Sequence, residues 1–286
     1  MNCIICGSKE HNHVFNKDGF ELVKCSVCGL VFVSNQPTLE QLKSNYSDDP
    51  EYHSKYLDPS FDFSVMFSNA SQDLKYLEQF SNKGRLLDVG CSAGFFLKVA
   101  EDAGWNANGV ELNENTAAVA RNRFCLNVKT GVLEHDDFPK HSFDAVTLWD
   151  LIEHLADPKS FLNEISTILK PGAILALRTP NIDGLFPRFS SLLKNKLDYW
   201  PHPEPPGHLY QFSVKTISSL LVSCGFKVEA VKHETISLQY SFGESFGFGV
   251  SVRRALYSLV FAPFAWLGPF FRSGDSIVVI ARKQGI

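Results

Sequence analysis

Apolar positions along the chain fall into two alternating kinds of segment, and the alternation predicts a sheet covered on both faces by helices. A helix is expected from Ser64 to about Phe80. Arg85 to Val89 is a short apolar run stopped by Gly90, the pattern of a strand ended by a glycine turn. Directly after it Phe95, Phe96, Val99, Ala100 and Ala103 repeat at helical spacing, with Gly104 as the stop. Ala107 to Leu112 and Leu126 to Thr130 read as strands flanking a helix over Glu114 to Arg123. Phe143 to Trp149 is continuously apolar, which suits a strand buried on both faces of a parallel sheet. Asp157-Pro158 caps a helix bearing Phe161, Leu162, Ile165, Ile168 and Leu169, and Pro171-Gly172 is expected to end it before a strand from Ala173 to Leu177. A Ser213-capped helix with Ile217, Leu220 and Leu221 inward precedes strands Phe226 to Val231 and Ser276 to Ala281.

Before this region the pattern changes. Residues 1–33 hold two C-x-x-C-G pairs, Cys3/Cys6 and Cys25/Cys28, with eighteen residues between Cys6 and Cys25. That spacing matches a zinc ribbon, and four thiolates fill a tetrahedral Zn²⁺ completely, so the ion is expected to be structural. His11 and His13 lie between the pairs and read as surface histidines. Residues 34–62 form a polar connector or lid, in which Tyr46, Tyr52, His53 and Tyr56 either fold over a ligand or pack as a helix. The main domain then spans 63–286, with insertions around 182–212 and 234–274. Trp200 with Pro201, Pro203, Pro205 and Pro206 suggests a rigid loop at the mouth of a site.

Composition narrows the class. The 286 residues carry a formal net charge of -4 and no long basic block, so a nucleic-acid partner is not expected. Seven cysteines, an odd number, and a first segment without a basic and apolar leader point to a reducing cytoplasm. The apolar run from Ala255 to Phe271 is flanked by Arg253, Arg254 and Arg272 and interrupted by Pro263 and Pro269. A spanning helix needs about 20 apolar residues, so this run reads as a substrate lid or a peripheral contact with the inner face of the membrane. Oligomeric state is not legible.

LLDVGCSAGFF (Leu86 to Phe96) sets small residues between a strand and a helix, where backbone approaches a ligand closely. It resembles the first motif of class I S-adenosylmethionine-dependent methyltransferases, with Asp88, Gly90 and Gly94 matching and Ser92 in place of the middle glycine. Glu111 stands about 20 residues on, where an acceptor-only carboxylate can take both ribose hydroxyls. The resemblance implies a Rossmann-like fold of seven strands. It also implies donor contacts from Asp88, Gly90, Cys91, Ser92, Gly94, Glu111, Leu112 and Asp150, with Val132 and Leu133 around the adenine.

LWDLIEHLADP is similar to the E-H-x-x-D-P signature of the branch that includes ubiquinone-biosynthesis O-methyltransferases. PPGHLYQFS resembles the H-x-x-x-F-S element of sugar C-methyltransferases that also carry an N-terminal zinc region. By that resemblance His208 is the base, although those enzymes have an acid where this chain has Gly207 and possess a further C-terminal domain. His154 is expected to orient or pack, and is the second candidate base. Asp150, Glu153 and His154 are also weighed as a Mg²⁺ set. The leading expectation is methyl transfer to a sugar, nucleotide-sugar or other small or lipid-linked acceptor. A quinone-type O-methyltransferase at a membrane surface and a non-catalytic cofactor-binding zinc module are the alternatives.

Overall fold

The computed structural model describes residues 1–38, 40–42, 62–197, 200, 203–235 and 252–285. The connector cluster Tyr46, Tyr52, His53 and Tyr56, together with Pro201, lies outside the described residues.

The chain begins with strands β1 (His11–Lys17), β2 (Phe20–Cys25) and β3 (Val31–Val33), joined antiparallel. Helix α1 (Ser64–Leu77) leads to the first central strand, β4 (Arg85–Val89), which is followed by α2 (Phe95–Asp102), β5 (Asn106–Glu111), α3 (Glu114–Phe124) and β6 (Val128–Thr130). Then come β7 (Phe143–Trp149), a 3₁₀ turn at Ile152–His154, α4 (Pro158–Ile168) and β8 (Leu169–Pro180). Helices α5 (Leu185–Ser191) and α6 (Lys194–Leu197), strand β9 (Tyr210–Gln211), α7 (Val214–Ser223), β10 (Phe226–Glu234), α8 (Val252–Leu267) and β11 (Ser276–Lys283) complete the order.

Seven strands form one sheet in the order β10-β11-β8-β7-β4-β5-β6. β11 runs antiparallel to both neighbours, while the pairs among β8, β7, β4, β5 and β6 are parallel. This is the expected α/β Rossmann-like architecture. Side chains alternate across a strand, so neighbouring residues feed two cores on opposite faces. In β8, Ile174 and Ala176 join the core under α1, α2 and α3, and Leu175 and Leu177 join the core under α4 and α7. Leu87 and Leu177 are fully buried, and truncating either to alanine would cost about 2–5 kcal/mol.

Local sequence explains the helix starts. Asp157 accepts a hydrogen bond from the Ser160 backbone N–H, and Pro158 occupies the first turn. Ser213 and Thr216 form a reciprocal capping box at α7. Pro171-Gly172 does not terminate α4. The helix already ends at Ile168, and the pair lies where the β7–β8 register slips between Phe143 and Ala145.

β3 also pairs with β9, through Val31↔Gln211 and Phe32↔Tyr210, so the N-terminal sheet is closed by a strand from the main domain. Cys3, Val23, Cys25, Leu30 and Phe32 share one core with Leu87, Tyr210 and Phe212. Trp200 belongs to the same seam. It is buried, meets Phe15 edge-on at 6.2 Å, and its carbonyl and that of Pro203 accept from Lys17 Nζ. The proline loop therefore anchors to the N-terminal sheet.

Candidate active site

The carboxyl ends of β4, β5 and β7 converge because these strands are parallel neighbours, which is where open α/β sheets bind ligands. At the end of β4 the chain must turn sharply. Gly90 and Gly94 have φ of +76° and +83°, and Ser92 also takes positive φ. A side chain on Gly94 would collide with Leu126 and Ala120 at 2.6 and 2.9 Å. Gly94 thus serves the close approach of α2 to α3. Asp88, two residues before Gly90 in β4, is buried and accepts from Thr147 Oγ1 at 2.7 Å, and burial pushes its carboxyl up to about 8. Cys91 is committed to structure as well. Its thiol is buried, raised in pKa by burial, and its N–H is given to the Val110 carbonyl at 3.2 Å.

Glu111 ends β5, half-buried, with Oε2 accepting from Ser92 N at 2.9 Å and Oε1 from Asn113 N at 2.8 Å. The carboxylate clasps the glycine turn to the start of α3. Each oxygen has a second lone pair, so two acceptor positions remain for a diol. Leu112 follows half-buried, Leu133 packs on the core, and Val132 is exposed across the loop after β6.

Asp150, at the end of β7, adopts φ of +53°. About half its side chain (53%) remains accessible, yet protein surrounds it, and burial pushes its carboxyl up to about 6 against the pull of Arg178. Arg178 from β8 donates to Asp73 and, at 3.1 Å, to Glu234, lies 3.9 Å from Asp150, and covers the Trp149 ring at 5.1 Å. Burial opposes its charge, but the three carboxylates outweigh burial and hold it cationic. Sequence reasoning missed this network. An arginine in the otherwise apolar run ILALRTP was the available signal.

Just beyond, Glu153, His154 and His208 converge, with ligand-type atoms within 4.8 Å of one another. Glu153 is buried and its carboxyl is raised well above its ordinary range by burial and by Asp150. His154 Nδ1 shares a hydrogen bond with the Gly207 carbonyl at 2.9 Å, and burial lowers its pKa against the pull of the Gly207 and Asp150 carbonyls. Its ring meets that of His208 edge-on at 4.7 Å. His208 is buried, because Leu209 N donates to the Glu153 carbonyl and draws the loop over the 3₁₀ turn. Asp150 is not part of this convergence. The Mg²⁺ grouping of Asp150 with Glu153 and His154 therefore does not assemble, and the set that does, two imidazoles and one carboxylate, is nitrogen-rich and suits Mg²⁺ poorly.

A second cluster lies in the N-terminal sheet. Cys3 Sγ is 3.4 Å from Cys28 Sγ, Cys6 Sγ is 3.5 Å from Cys25 Sγ, and all four atoms lie within 4.8 Å of one another. These are too far for disulfides, whose sulfurs sit about 2.05 Å apart. They are close to the roughly 3.8 Å edge that Zn–S bonds of about 2.3 Å would give a tetrahedron. At Cys25 burial raises the thiol, but backbone donors at Cys28 and Val27 and the neighbouring thiols outweigh it, bringing it to about 6. The four residues fit a zinc site. His11 and His13 stand outside it, exposed on β1.

Residues 64–231 match the family described as methyltransferase domain. The chain belongs to that family. It is 28% identical over 145 residues to a probable S-adenosylmethionine-dependent methyltransferase of Mycolicibacterium smegmatis, covering 50% of this chain and 52% of that protein. It is 31% identical over 115 residues to a ubiquinone biosynthesis O-methyltransferase of Coxiella burnetii, covering 38% and 49%. The chain thus spans about half the length of the curated relatives it matches. Among solved structures, a SAM-dependent methyltransferase from Archaeoglobus fulgidus superposes with a TM-score of 0.51 at 22% identity, covering 79% of this chain and all of that one, which shows a shared fold. No helix among the described residues is long and apolar enough to cross a membrane.

Proposed function

We propose that this methyltransferase-family chain moves a methyl group from S-adenosylmethionine to a hydroxyl or carbon of a sugar, free, nucleotide-linked or lipid-linked, with His208 as base. The observation that carries the reading is the buried His208 ring held edge-on by His154 at the carboxyl end of the sheet. When bound, the donor supplies a methyl whose bond to cationic sulfur breaks with the electron pair left on sulfur. Glu111 offers two acceptors for its ribose, and the turn from Gly90 to Gly94 brings backbone near it. His154 faces the Gly207 and Asp150 carbonyls and so orients the neighbouring ring. His208 takes the acceptor proton. The Glu153 carboxyl lies within 4.8 Å of a ring nitrogen, and the neutral acid form that its burial favours offers the resulting imidazolium a carbonyl oxygen as acceptor.

A structural zinc held by Cys3, Cys6, Cys25 and Cys28 belongs to the same reading, as does a division into knuckle, connector and main domain at about 33 and 62. The reading is tested by release of S-adenosylhomocysteine with a panel of nucleotide-sugars and lipid-linked sugars. Release with catechol-type quinols and with none of the sugars would favour a quinone-type acceptor, which the named Coxiella relative recommends as the second reading. Donor binding without turnover on any acceptor would leave a cofactor-binding module.

A further inference from the structure

Helices α5 and α8 pack on each other outside the two main cores. Phe186, Phe261 and Ala265 form their own small buried cluster, and Phe189 lies against Phe264 at 4.5 Å. The side of this pair turned away from the protein is not polar. Of the thirteen exposed large apolar residues among those described, eight fall within 189–193 and 260–271. Leu192, Trp266, Phe270 and Phe271 are 75%, 62%, 74% and 68% exposed. Scattered single apolar residues on a surface are ordinary; this concentration is not.

Charge selects the occupant. The segments 185–197 and 252–272 together contain six Arg or Lys and no Asp or Glu, in a chain whose formal net charge is -4. Arg188, Lys194 and Arg272 belong to this set. Two copies of the chain docked face to face would oppose like charges, Arg188 and Arg272 of each among them, which disfavours self-association. An anionic bilayer accepts both features at once, with aromatic side chains in the headgroup boundary and cations on lipid phosphates. Pro263 interrupts α8, and no helix among the described residues is long and apolar enough to cross a membrane, so the contact inferred is an interfacial one.

We infer that α5, α8 and the 3₁₀ turn at Gly268–Phe271 form a docking surface for an anionic phospholipid membrane. The surface stands beside the candidate site. α5 starts five residues after the end of β8, and Asn181 N and Asn181 Nδ2 donate to the Asp275 and Gly274 carbonyls at its base. The inference rests on this surface alone and holds whatever the acceptor is.

The test is co-sedimentation of the full chain with phosphatidylcholine vesicles and with vesicles containing about 30% phosphatidylglycerol. Binding is expected on the anionic vesicles, weakened by salt, with a blue shift of tryptophan emission that Trp266→Phe removes. Combined Trp266→Ser, Phe270→Ser and Phe271→Ser should weaken binding roughly tenfold or more, and Arg188→Gln with Arg272→Gln several-fold, with circular dichroism melting unchanged. If the triple variant melts early, the charge pair of variants and the Trp266→Phe emission carry the test. Failure to bind either vesicle overturns the inference, as does equal binding by folded wild-type and triple variant. A concentration-dependent dimer, lost in the triple variant and without vesicle binding, would assign the face to a second copy instead.

Discussion

Replacing Glu111 by glutamine tests the donor site more sharply than removing it. The carboxylate accepts from Ser92 N at 2.9 Å and Asn113 N at 2.8 Å, leaving one lone pair on each oxygen for the ribose diol. Glutamine keeps one oxygen and turns an NH₂ toward a backbone N–H, so one clasp bond and one diol acceptor vanish together. A hydrogen bond to a charged group contributes about 1.5–3 kcal/mol, so S-adenosylhomocysteine should bind about 10- to 150-fold more weakly to Glu111→Gln. Alanine removes both acceptors and should be at least as costly.

Calorimetric titration measures the loss, and a 2′,3′-dideoxy analogue of the ligand separates its two sources. If the hydroxyls are the partners, the analogue binds wild-type and variant almost equally, and the double cycle assigns the difference to the diol. Unchanged affinity for the parent ligand would remove Glu111 from ribose recognition. An equal loss with the dideoxy analogue would mean that the residue acts only by holding the turn.

About one zinc per chain should co-purify, and metal analysis that finds none would refute the four-thiolate site. Chelation should raise hydrogen exchange both in residues 3–33 and at Leu209–Phe212, because β3 pairs with β9. His208→Ala should retain donor affinity while turnover falls about 10²- to 10⁴-fold, and normal turnover with an inactive, donor-binding His154→Ala would move the base to His154. Asp88 has a folded-state pKa raised to about 8 from an ordinary 3.8, so the folded state keeps a proton that the unfolded state has lost, and stability falls as pH rises through that window. Asp88→Asn removes this term while an oxygen can still accept from Thr147. Its melting temperature relative to wild-type should therefore rise from pH 5 to pH 8, and a constant difference would refute the buried charge penalty.

Local features of the fold were legible in the sequence because they act over a few residues. The strand Arg85–Val89, the glycine turn after it, the Asp157-Pro158 start and the Ser213 cap all stand where the pattern set them. Pro171-Gly172 misled because a proline and a glycine can end a helix or sit in a slipped strand register, and only the pairing partner decides. Gly94 carries a demand that its motif position did not disclose. Its motif position pointed to a ligand, whereas the need for glycine there also comes from Leu126 and Ala120, which a side chain would strike. Arg178 with Asp73, Asp150 and Glu234 joins residues up to 161 positions apart, a separation that no periodicity encodes.

The least legible contact links the two candidate sites. Val33 N donates to the Leu209 carbonyl, Leu209 N donates to the Glu153 carbonyl, and the Gly207 carbonyl holds His154. Leu209 is thus fixed from both sides, by the strand that follows Cys28 and by the turn that carries Glu153. His208 is its immediate neighbour and has little freedom once both bonds are made. Metal bound at the four thiolates would contribute folding energy to the N-terminal sheet, and β3, paired with β9, would pass that order to the loop of the proposed base. Glu111 and the glycine turn are built from β4, β5 and α3 and share none of these bonds. Loss of the metal should therefore impair the acceptor side, with turnover falling while donor affinity persists. The N-terminal sheet thus braces the loop that carries His208, which the spacing of its cysteines alone did not reveal.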